Sequence, residues 1–147
     1  MKKKKIIVGV LIVLWLCLIW GHSLQPASVS SGESLRILVI LRKIFPTLLA
    51  GEQGEFIIRK TAHFTEFFIL GVMLCIEFSM ELYGVLRRFA IPSLVGLLVA
   101  FIDETIQLFV IGRSGEIRDI WIDFAGAMFG TLIVLAIVNN KRGRKRY

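Results

Sequence analysis

Residues 101–109 read FIDETIQLF: two adjacent acids and a glutamine set in apolar sequence. The fold turns on whether the surrounding block, residues 89–111, crosses a membrane. At mid-bilayer each carboxylate costs roughly 2.5–3.5 kcal/mol, and a span keeps such groups only with a partner, a cavity or a chemical task.

The rest of the chain argues for the membrane. Of 147 residues, 56% are hydrophobic, and the mean hydropathy is +0.75. Soluble chains average about 45–50% apolar, and here the excess is gathered into blocks at residues 6–22, 61–83, 89–111 and 117–138. Each is near the ~20 residues a spanning helix needs, the first being short. The expected fold is therefore all-α: one polytopic membrane domain, residues 1–147, with four transmembrane helices.

Charge supports this. The net charge is +7, but the basic residues flank the apolar blocks, which fits membrane orientation rather than nucleic-acid binding. Lys2 to Lys5, Arg87 and Arg88, and the tail residues Lys141, Arg142, Arg144, Lys145 and Arg146 place eleven of the eighteen Lys and Arg on one side. The positive-inside rule makes that side cytoplasmic, with both termini inside. MKKKK followed by Ile6–Trp20 resembles a signal peptide. Trp15 and Trp20 near its end read instead as interfacial anchors, so an uncleaved helix is expected. Cys17 and Cys75 fall at different depths, which predicts free thiols.

The first external connection, roughly 21–60, contains ESLRILVILRKIF. At about thirteen residues it is too short to span, which predicts an external interfacial or re-entrant helix. Pro46 is expected to break it, and GEQGE, residues 51–55, to form a polar turn.

Polar residues then gather at one depth. Asp103 lies eight residues before Ile111, or ~12 Å along a helix axis. It shares a face with Gln107, and Glu104 is three residues from Gln107. In RKTAHFTEF, residues 59–67, Arg59 or Lys60, then His63, then Glu66 step down one stripe. Asp119 and Asp123 are four apart, with Gly126 and Gly130 continuing that side as a close-packing motif. GRSGEIR adds Arg113 and Arg118 above them.

Five acids nearly match four bases here, so an ion-pair network that locks the bundle is one reading. Buried pairs stabilise poorly compared with apolar packing, which favours a functional pocket. In that reading His63 is a proton carrier or ligand, oriented by Glu66, Asp103, Glu104 and Asp119. Lys60 and Arg113 hold an anionic group, with Gln107 and Asp123 also in the binding set. A metal held by His63 and Glu66, completed by the remaining acids, is the alternative. Acid/base chemistry is better supported, so no residue is assigned to a metal, and no motif specifies a cofactor. Ser23 and Ser28 are weaker candidates as nucleophiles.

HSLQPASVS, RKTAHFTEFFILG and DETIQLFVIGRSGEIRDIWIDFAGAMFG together make the chain resemble the VanZ-like family of small bacterial membrane proteins. Lys60, His63, Phe64, Glu66, Asp103, Glu104, Gln107, Gly112, Arg113, Asp119, Gly126 and Gly130 fit the family pattern. Asp123 departs from it, since family members often carry Asn near that position. The resemblance implies a multi-pass protein of the bacterial cytoplasmic membrane with an envelope role. The founding member is linked to low-level resistance to teicoplanin, a lipid-tailed glycopeptide.

The expected partners are the lipid bilayer and a lipid-linked or headgroup-bearing envelope molecule, bound or modified in an outward-facing pocket, with nucleic acid excluded. Turnover and oligomeric state are left open. A non-catalytic immunity or interaction protein and a proton-coupled small transporter are the other readings. Against transport, Glu77 and Glu81 are the only charges firmly in the inner half, and no inverted repeat is visible.

Overall fold

The computed structural model describes residues 2–45, 53–80, 82 and 84–143, without the side chains of 140–143. Five helices lie among the described residues: α1 (Lys2–Ser23), α2 (Ala27–Arg42), α3 (Gln53–Ser79), α4 (Val85–Gln107) and α5 (Ile117–Gly143). Among the described residues α1, α3, α4 and the Ile117–Asn139 part of α5 are long and apolar enough to cross a membrane. The all-helical membrane architecture expected from the sequence is the one observed. α2, with 16 residues, is below spanning length and packs on α3.

α3 is the hub, packing against each of the other four helices. α1 and α5 both pack on α3 and α4, with no substantial α1–α5 contact. The central core joins Ile19, Phe67, Leu70, Leu74, Val99, Ala100 and Ala127, drawn from all four long helices. Away from it, Val10, Leu14, Leu94, Leu98, Phe101, Leu132 and Ile137 are exposed. Such a band suits hydrocarbon, where helices satisfy their own backbone groups.

The α3–α5 seam is set by small residues. A Cβ built at Gly126 would lie 2.5 Å from the Phe64 carbonyl oxygen. One at Gly130 would meet the Phe68 backbone, and one at Gly71 the Ala127 backbone. Thr131 Oγ1 donates to the Gly71 carbonyl across the same seam at 3.4 Å. Helix backbones in lipid approach this closely where side chains are absent.

Several boundaries differ from the sequence reading. α3 begins at Gln53 rather than near Thr61, so the last three residues of GEQGE are helical. The reason is tertiary: Ile58 is buried against Leu38 of α2, which extends the helix through sequence with turn-like composition. α4 stops at Gln107, short of Ile111, because the chain then turns through Gly112 at φ 77°. α2 starts at Ala27, directly after Pro26, whose fixed φ suits a helix entry. Pro92 sits inside α4, buried, without ending it.

Trp15 and Trp20 have packing partners inside the bundle. Both pack against the central core, and Trp15 Nε1 donates to the Glu66 carbonyl at 2.9 Å. Both cysteines are free, Cys75 buried and Cys17 exposed. Arg88, read as a loop charge, is 4% exposed and donates from Nε to the Leu82 carbonyl at 2.6 Å. The expected break at Pro46, Glu81, and the tail residues Arg144, Lys145 and Arg146 lie outside the described residues.

Candidate functional site

One end of the bundle is polar. It is built by the first half of α3, the end of α4, the 108–116 turn and the start of α5, with α2 and the α1–α2 elbow alongside. On α3, Lys60, His63 and Glu66 follow at three-residue intervals. On α4, Asp103, Glu104 and Gln107 occupy the last helical turn, all three buried. On α5, Asp119 and Asp123 lie one turn apart, and Asp123 is 1% exposed.

Two adjoining hollows of about 140 Å³ each open here. The first is lined by Arg59, Lys60, His63, Gln107, Arg113 and Asp119, among others. The second lies between α1, α2 and α3, with His22, Glu33, Ile37, Ile58 and Glu66 on its walls. Arg59, His63 and Arg113 border both.

The contacts separate the candidate residues into groups. Lys60 Nζ pairs with Asp119 Oδ2. Gln107 Nε2 donates to Asp103 Oδ2 at 3.0 Å and, more weakly, to Glu104 Oε2 at 3.4 Å. Glu104 Oε1 accepts the Glu116 backbone N–H at 2.6 Å, which caps the turn between α4 and α5. His63 Nδ1 is 3.9 Å from Asp123 Oδ1, beyond hydrogen-bond range.

Arg113 acts as a brace. Its Nη2 donates to the His22 carbonyl at 2.9 Å, its Nε to the Gln25 carbonyl at 2.9 Å and its Nη1 to Gln107 Oε1 at 3.2 Å. The guanidinium thus ties the 108–116 turn to the α1–α2 elbow, and the Ala27 N–H donates to the Ile111 carbonyl beside it. Burial pulls the Arg113 pKa below its ordinary value, and the Asp103 charge opposes that shift. An arginine so placed stays cationic. Glu116, at the rim of the first hollow, is held below the usual glutamate range by its bond to Arg118. That pair is on the surface, with Arg118 81% exposed, so Arg118 does not join the polar end's interior.

The sequence reading made Glu66 an orienter of His63. The structure gives Glu66 a different partner: His22 Nδ1 lies 2.7 Å from Glu66 Oε1. Docking of Trp15 and Ile19 brings the end of α1 to the level of Glu66, and this supplies the nearer imidazole. The triad that His63 does enter comprises Asp103 and Asp123: one ligand-type atom from each of the three lies within 4.8 Å of the others. Of the serines, Ser23 is fully buried with its hydroxyl beside the Asp103 carboxylate, and Ser28 is exposed and lines neither hollow.

Arg59, His22 and the backbone carbonyls of His22 and Gln25 carry more of the site than the sequence reading assigned them. HSLQPASVS and RKTAHF were the available signals for His22 and Arg59. Backbone carbonyls leave no signal in a sequence.

Chemically the site offers a basic rim, an imidazole facing two hollows, and carboxylates sunk behind it. A family model described as VanZ/LLP1 matches residues 8–138. No curated protein and no solved structure matches.

Proposed function

The chain belongs to the VanZ-like family, and on that premise we propose that its polar end receives the anionic headgroup of an envelope molecule, lowering susceptibility to teicoplanin-type glycopeptides. In this reading the single domain sits in the bacterial cytoplasmic membrane with both termini cytoplasmic and the polar end outward. The eleven-to-seven division of basic residues supports that orientation.

The observation that carries the proposal is the lining of the first hollow. Arg59, Lys60 and Arg113, from segments some fifty residues apart, border one space together with His63. Guanidinium groups suit oxyanions because their donors form a planar fork, and Lys adds a mobile point charge. Arg113 is held by three acceptors, so its task is to fix the rim while lending its charge. Arg59 and Lys60 are the groups that meet the headgroup, and Asp119 sets the resting position of Lys60. Glu104 supports the turn carrying Arg113 by accepting the Glu116 N–H. His63, which borders the same hollow, is read as the residue facing the bound head, where binding passes into modification if the molecule is turned over.

The test is glycopeptide susceptibility in a teicoplanin-susceptible bacterium expressing the chain. Wild type should raise the inhibitory concentration above that of the empty host. Arg59→Gln combined with Lys60→Gln should return it to the empty-host value at unchanged membrane abundance. Identical susceptibility of wild-type and empty hosts would remove the resistance reading.

A further inference from the structure

Asp103 and Asp123 pose a physical problem that the headgroup reading does not address. They are 0% and 1% exposed. Among the described residues Asp103 Oδ1 and both oxygens of Asp123 make no hydrogen bond of ordinary geometry, and the Ser23 hydroxyl is the one further donor beside the Asp103 carboxylate. Asp103 Oδ2 accepts from Gln107. Buried carboxylates left in this condition are costly unless something compensates their charge.

Among the described residues no Lys or Arg side chain bonds either carboxylate, although Arg59 borders the same hollows and the Arg113 charge acts on Asp103. Lys60 pairs with Asp119, and Arg113 donates to two backbone carbonyls and to the Gln107 side-chain oxygen. His63 stands 3.9 Å from Asp123 without bonding it. Its ring borders both hollows, so Asp123 lies one side chain away from open space.

We propose that His63, Asp103 and Asp123 hold a first-row divalent cation such as Zn²⁺ or Mn²⁺. The three side chains come from α3, α4 and α5, and a ligand-type atom from each falls within 4.8 Å of the other two. An ion placed among them compensates the buried carboxylates. One imidazole with two carboxylates suits zinc, manganese or ferrous iron, and the nitrogen donor disfavours magnesium and calcium. Gln107, bonded to Asp103, orients that carboxylate from behind, as outer partners of metal ligands do. The frame is stiff: Ala127, one turn beyond Asp123, is fully buried in the core and packs where a Cβ on Gly71 or Gly96 would sit. Of the three ligands only His63 borders the hollows, so water or a ligand oxygen would complete the shell from its side.

The cation proposal stands whether or not a headgroup binds, and its test reads metal binding alone. Full-length protein in detergent, stripped with a chelator that is then removed, is titrated with Co²⁺ while its d–d absorption is followed. Saturation near one ion per chain, reversal by Zn²⁺, and a Zn²⁺-dependent rise in Tm are expected. Asp123→Asn and Asp103→Asn should weaken binding at least about tenfold, and Glu33→Gln, on the wall of the second hollow, should titrate as wild type. If either Asn variant fails to elute as folded protein, His63→Ala carries the same comparison. Wild-type protein with no saturable Co²⁺ absorption and no Zn²⁺-dependent Tm shift overturns the proposal. So does wild-type affinity in a folded Asp123→Asn variant.

Discussion

Glu104 and His63 face different demands although both are polar side chains at the same end of the bundle. Glu104 is 4% exposed and serves the backbone, accepting the Glu116 N–H. A glutamine there keeps an acceptor oxygen and the side-chain shape while removing the charge. His63 borders open space, and glutamine keeps its polarity without its imidazole. Glu104→Gln and His63→Gln should therefore accumulate in membranes at wild-type abundance, and the two changes together should lose the susceptibility phenotype. If the acids serve only as counter-charges, losing one strands a buried base at roughly 3–5 kcal/mol. Membrane abundance measured by immunoblot would then collapse together with the phenotype. Full phenotype in the double variant would defeat the pocket altogether.

These residues also mark where legibility stops. The run of acids, the His63 stripe and Arg113 stand out in sequence because charge inside an apolar block is conspicuous. Their partners do not. Helical spacing puts Glu66 on the His63 side, yet its imidazole comes from His22, 44 positions away. Two of the three Arg113 acceptors are main-chain carbonyls, which every residue possesses. Spacing within a helix gives a face; it does not say which neighbour that face meets.

At the scale of elements, hydropathy located the four long helices because each must be apolar over a membrane's thickness. It was poorest at the ends. The start of α3 carries Gln53, Gly54 and Glu55, a composition that argues for a turn, and the seat of Ile58 on Leu38 favours continuing the helix through it. The Gly126–Gly130 pair was legible as a packing motif, and the structure identifies its partner as α3. A methyl group at Gly126 or Gly130 would run into main chain, which has no rotamer to yield. Gly126→Ala and Gly130→Ala should each lower stability by roughly 1–3 kcal/mol, the usual range for overpacking, seen as a reduced Tm in detergent. Gly9→Ala, where an added Cβ meets nothing within 4 Å, should leave Tm unchanged or slightly raised. Equal Tm values for all three variants would contradict the α3–α5 seam.

For the whole molecule, the proposed orientation makes a labelling prediction. With Cys17 and Cys75 replaced by Ala, single cysteines at Gly51 and Gly143 should react oppositely with a membrane-impermeant reagent on intact cells. Gly51→Cys should label from outside, and Gly143→Cys only after lysis. The reverse pattern would invert the protein and turn its polar end toward the cytoplasm.

The arrangement of α1 and α5 around α3 and α4 has a consequence for biogenesis. α1 leaves the ribosome first, but the partners it packs on, α3 and α4, begin at residues 53 and 85. Its uncharged stretch from Ile6 to Gly21 lets it wait alone in lipid. α4 has no such independence, since Asp103 and Glu104 come with it into the bilayer. The Glu116 N–H that Glu104 accepts and the packing surface of α5 are both synthesised later. Between the arrivals of α4 and α5 the half-built bundle carries acids without their final surroundings, and that interval is when a membrane insertase or quality-control protease has most to hold.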